Sequence, residues 1–133
     1  MKPKISLVTL GVADLGRARR FYADGLGLPV KETGSDEVVF FELEGTWLGL
    51  YGLADLAADS GLVVDGTGFR GVTLAHNVDS PAEVDNLVAH AEAAGARVTS
   101  PPVEKSWGGY AGVFADLDGH LWEIAWNPHL DLT

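Results

Sequence analysis

Glu123 stands at the centre of an apolar, strand-like run, LWEIAW (121–126), and a carboxylate in that setting has few uses. Burying it unpaired is costly, so it must be protonated, hydrogen-bonded, ligated to a cation or turned to a wet cavity. Three kinds of work suit it: orienting a ligand, accepting a proton, or holding a metal ion. The remaining chemistry-bearing side chains are four histidines, at 76, 90, 120 and 129, and four tryptophans. There is no cysteine, which removes thiolate nucleophiles, disulfide frameworks and Cys-ligated zinc.

The elements that must position Glu123 are legible around it. Between Trp107 and Pro128, a Gly-containing loop leads to an apolar strand (112–115), an Asp118-Gly119 turn and the strand 121–126. Asp-Gly supplies the positive-φ positions of a short reversal, so this is a β-hairpin.

The same order of elements occurs twice. In the first half, a strand over 5–12 meets the helix cap Asp14. A segment with apolar Leu15, Ala18, Phe21 and Tyr22 follows and stops at Gly25 and Gly27. Strands over 28–32, 37–43 and 47–51 complete it. In the second half, a strand over 71–78 precedes Ser80-Pro81-Ala82-Glu83, a capping box with proline at the first helical position. Val84, Leu87, Val88 and Ala91 make a helical apolar stripe ended by Gly95, and strands over 96–103, 111–115 and 121–126 follow. The fold class is therefore α+β, a single domain of two tandem β-α-β-β-β modules (1–52 and 71–133). The glycine-rich linker 53–70 joins them, with a short helical turn over 53–58.

At 133 residues and 47% apolar content, the chain can build a real core. Nine Lys and Arg against nineteen Asp and Glu give a net charge of −10, which argues against a nucleic-acid partner. Arg17, Arg19 and Arg20 read as a solvated helix face. No run spans a bilayer and the N-terminus lacks a cleavage site, so no membrane association and a cytoplasmic location are expected.

The runs VTLGVADLGRARRFYADGLGL and WGGYAGVFADLDGHLWEIAWNP, with the duplicated module order, resemble the vicinal oxygen chelate superfamily: glyoxalase I, bleomycin resistance proteins and extradiol dioxygenases. The resemblance implies a cupped mixed sheet with helices on its outer face, often completed by a second subunit. It also implies a divalent metal held by one residue near the start of each module and one on its last strand. Carried onto this chain, those positions are Leu7, Gly49 (Tyr51 if the register slips by two), Thr73 and Glu123. Only Glu123 is a metal ligand of the usual kind, so no metal or other cofactor is expected. By strand alternation, His120 and His76 point away from Glu123 and Thr73. His90 falls on the polar side of its helix, and His129 is near the tail.

What remains is an apolar, aromatic lining. Leu7, Trp47, Gly49, Tyr51, Thr73 and Glu123 share the inner face by alternation, and Trp107 and Tyr110 lie on a Gly-flanked loop that could close over it. Such a lining suits a partly aromatic or cationic organic molecule, bound without metal in the manner of the bleomycin-resistance branch. The alternative is a glyoxalase-like lyase, isomerase or dioxygenase that uses a divalent metal, or Glu123 as a general base in apolar surroundings. A homodimer is expected in either case.

Overall fold

Asp14 opens the first helix, its Oδ1 accepting from the Arg17 amide at 2.9 Å. A computed structural model of the protein describes residues 1–133, which fall into two compact units, Met1–Thr67 and Gly68–Thr133.

The first unit contains β1 (Leu7–Val12), α1 (Leu15–Arg20), β2 (Val30–Lys31), β3 (Val38–Glu42), β4 (Trp47–Gly52) and α2 (Leu53–Asp59). Past α1 the helix widens into one π-helical turn, Phe21–Gly25, in which the Leu26 amide reaches the Phe21 carbonyl. That wider turn lets the adjacent Phe21 and Tyr22 both enter the core, edge to face at 5.1 Å. The sheet order is β1-β4-β3-β2, with β1 and β4 parallel and the other pairs antiparallel. Leu10, Val12, Phe41, Leu48 and Leu50 are buried with the helical aromatics.

The second unit repeats this plan with β5 (Thr73–Asn77), α3 (Pro81–Ala93), β6 (Arg97–Glu104), β7 (Tyr110–Ala115) and β8 (Leu121–Trp126), in the order β5-β8-β7-β6. Ser80 caps α3 by accepting from the Glu83 amide, and the Glu83 carboxylate accepts from the Asp79 amide. Val84, Val88 and Ala91 are buried, α3 packing on β7 and β8, where Phe114 and Ile124 are buried too. Each large apolar side chain so buried contributes about 1.5–3 kcal/mol.

The β-α-β-β-β order read from the sequence is present in both halves. The ends differ where strands lack partners: the first strand begins at Leu7 and not at residue 5, and the second is two residues long. Pro101 and Pro102 are accommodated in β6 because it is an edge strand with register shifts against β7. The helical turn in the linker is the docked helix α2: a Cβ on Gly11 of β1 would lie 2.6 Å from Leu53 Cδ1. No helix is long and apolar enough to cross a membrane.

Candidate functional site

Glu123 is held by the turn before it. Asp116, 6% exposed, accepts from the amides of Asp118 (2.9 Å) and His120 (2.8 Å) and so fixes the reversal between β7 and β8. In the register that follows, Glu123 lies between Ala75 on β5 and Val113 on β7, with Leu121 and Ala125 beside it along β8. Directly opposite residues share a face, so Glu123 belongs to the face away from α3, whereas Ile124 and Gly112 belong to the α3 side. Its carboxylate is half-buried and has no hydrogen-bond or ion-pair partner within its module. Its neighbours on this face, Ala75, Val113, Leu121 and Ala125, are all apolar, so the carboxylate is the polar group among them.

The first module carries the opposite character on the corresponding face. Gly49 lies between Thr9 and Phe40, and Trp47 between Leu7 and Glu42. A Cβ on Gly49 would lie 3.3 Å from Phe40 Cε1, 3.3 Å from Thr9 Oγ1 and 3.4 Å from Leu7 Cδ1, so this position is already hemmed in by its neighbours. Phe40 and Trp47 are in ring contact at 5.9 Å, and the Lys31 ammonium stands 5.7 Å from the Trp47 ring centre. Lys31 also pairs with Glu42 at 2.8 Å. Leu7, Glu42 and Trp47 border a cleft of about 530 Å³. Alternation along β3 would have revealed Phe40 and Glu42 as members of this face. Lys31 carries no such signal, because its two-residue strand is too short to show a period.

Tyr51 lies on the same strand as Trp47 and Gly49, opposite Gly11, at the end over which α2 docks. The charge of Asp59 on α2, followed by desolvation and Asp55, holds its hydroxyl above the usual tyrosine value of 10.0. Thr73 begins β5 opposite Leu121 and is exposed. Trp107 is on a turn, 44% exposed, with its ring over Gly109. Tyr110 corrects the sequence reading: it is not on the loop but is the first residue of β7, opposite Trp126. Its hydroxyl donates to Asp85 Oδ1 on α3 at 2.8 Å, which places it on the helix side of the sheet, away from Glu123. That hydrogen bond is also the main reason its hydroxyl is held above the usual value.

Residues 4–124 match the family described as the Glyoxalase/Bleomycin resistance protein/Dioxygenase superfamily. The chain belongs to this superfamily. It is similar to a glyoxalase-related enzyme from Fulvimarina pelagi, with 35% identity over 95% of this chain and 89% of that one and a TM-score of 0.84. It is also similar to a glyoxalase/bleomycin resistance protein/dioxygenase from Nocardioides, at 26% identity, 95% and 84% coverage and a TM-score of 0.78. A lactoylglutathione lyase from Agrobacterium tumefaciens, at 24% identity, 94% coverage of each chain and a TM-score of 0.70, shares the fold. No curated protein matched.

The superfamily's metal positions do not fit a metal on this chain. Gly49 lies four residues past Gly45 and opposite Thr9, and Glu123 lies four residues past Gly119 and opposite Ala75, so with the two turns superposed Gly49 is the counterpart of Glu123. Leu7 and Gly49 have no donor atom, Thr73 offers a hydroxyl, and only Glu123 offers a carboxylate, short of the three or four donors such an ion takes. Neither module gathers three His, Asp or Glu side chains into a cluster. His76 lies opposite Ile124 and so on the helix side, His90 is on α3, His120 closes the Asp116 turn, and His129 lies by Gly108.

Proposed function

We propose that this member of the superfamily binds a small organic molecule, partly aromatic or cationic, without a metal ion. Each module offers its own feature toward such a ligand: the first an aromatic surface at Trp47 and Phe40, the second the carboxylate of Glu123. One observation carries the reading: the Glu123 carboxylate is unpartnered among Ala75, Val113 and Ala125, where a hydrogen-bonded structural carboxylate would have partners. The net charge of −10 supports a cationic ligand. A homodimer is part of the proposal, supported by exposed apolar side chains at Leu62, Val63, Phe69 and Val72.

The test is a tryptophan-fluorescence screen of aromatic amines and neutral aromatics in the presence of a chelator. Binding of an amine that is weakened in Glu123→Gln is expected, and a response that requires added divalent metal contradicts the proposal. A single dimer by light scattering is expected, and a monomer at micromolar concentration contradicts that part.

A second reading is supported by the similarity to the glyoxalase-related enzyme from Fulvimarina pelagi. In it Glu123 accepts a proton from a bound substrate, and Glu123→Gln abolishes turnover while leaving substrate binding intact.

A further inference from the structure

The open face of the first module already holds an ammonium group. Lys31 Nζ lies 5.7 Å from the Trp47 ring centre and 2.8 Å from Glu42 Oε2. An aromatic face and a carboxylate converging on one cation are the two groups that recognise an alkylammonium compound. Both Trp47 and Glu42 also border the cleft of about 530 Å³, a size suited to a small organic ligand. Its other walls include Leu7, 42% exposed, and Thr46, whose hydroxyl is buried with no hydrogen-bond partner. The cleft thus sets an apolar wall and an unused hydroxyl beside Glu42 and Trp47, with Lys4 also on its border.

We infer that Trp47 and Glu42 form an ammonium-recognition subsite for a primary aralkylamine, and that Lys31 is its internal occupant. The ligand's ammonium displaces the Lys31 ammonium from Trp47 and Glu42 while its apolar body lies in the cleft against Leu7. Lys31 is suited to displacement because it is 45% exposed and Glu42 52% exposed, and exposed pairs of this kind are weak. Lys31 therefore sets a threshold that neutral aromatics do not benefit from crossing. The inference deepens the proposed binding function and rests on it, but it seats the cation on Glu42 and Trp47 of the first module.

The experiment titrates the full chain with phenethylammonium, and with neutral 2-phenylethanol as the control, following the Trp47 indole by NMR. Lys31→Met removes an internal competitor, and affinity for phenethylammonium rises about three- to tenfold. Trp47→Leu in the Lys31→Met background loses that gain, Trp47→Phe keeps part of it, and 2-phenylethanol shows no dependence on residue 31. Unchanged or weaker phenethylammonium binding in Lys31→Met overturns the subsite. If that result comes with weaker binding in Glu123→Gln, the subsite fails and the proposed function stands. If binding follows Lys31 and Trp47 but ignores Glu123→Gln, the subsite stands and the role given to Glu123 fails. Absence of any response in all variants refutes both.

Discussion

Gly49 and Glu123 occupy one and the same place in the two modules: Gly49 sits between Thr9 and Phe40 as Glu123 sits between Ala75 and Val113. The repeat has therefore diverged into unlike halves. Where the second module has a carboxylate among apolar side chains, the first has a glycine beside the Phe40 ring. A side chain at position 49 meets Phe40, Thr9 and Leu7 closely enough that they must shift to admit it.

Substituting Gly49 should accordingly be destabilising and should not create a metal site. Gly49→Glu is expected to cost about 1–3 kcal/mol through overpacking against Phe40, Thr9 and Leu7. Urea denaturation measures the cost, and calorimetry with a divalent ion is expected to show no added binding.

Asp116 is the residue on which the orientation of β8 depends. Asp116→Ala leaves the amides of Asp118 and His120 without their acceptor and is expected to cost about 1–3 kcal/mol. Asp116→Asn keeps one side-chain oxygen and should fall between. Thermal melts of the three proteins give the order.

Gly109 is required by the approach of the Trp107 ring and the Trp126 carbonyl, the latter 2.6 Å from where a Cβ would be. Gly109→Ala should push the Trp107 ring off the strand end, red-shifting tryptophan emission and lowering stability. Trp107→Phe removes the fluorescence change and identifies its source.

The Tyr110 hydroxyl is held above 10.0 by its hydrogen bond to Asp85, so the folded state favours the protonated phenol. A raised folded value contributes stability that is complete below about pH 10 and is lost as pH rises through the folded value. Tyr110→Phe should therefore be less stable than the parent at neutral pH, and the difference should shrink in alkali. Urea midpoints across the alkaline range test this.

Much of the architecture is written in local signals. Asp14, the Ser80-Pro81-Glu83 cap and the Asp118-Gly119 turn specify element ends by nearest-neighbour hydrogen bonding, which a sequence displays directly. The equivalence of Gly49 and Glu123 follows from counting four residues forward from Gly45 and Gly119. Tyr110 reads as a loop residue because the glycines at 108 and 109 signal a loop, whereas the strand starts immediately after them and its alternation carries the ring to α3. Glu42 is legible by alternation along β3, but Lys31 is not, and the meeting of the two over Trp47 depends on which strands are neighbours, a property of the assembled sheet rather than of any segment.

In the proposed function Glu123 serves an organic ligand and not a metal. Elemental analysis of the purified chain, before and after incubation with excess zinc, manganese or nickel and desalting, tests it most directly. Far less than one metal ion per chain is expected under every condition, with no difference between the parent and Glu123→Ala. One divalent ion per chain, lost in Glu123→Ala, would contradict it.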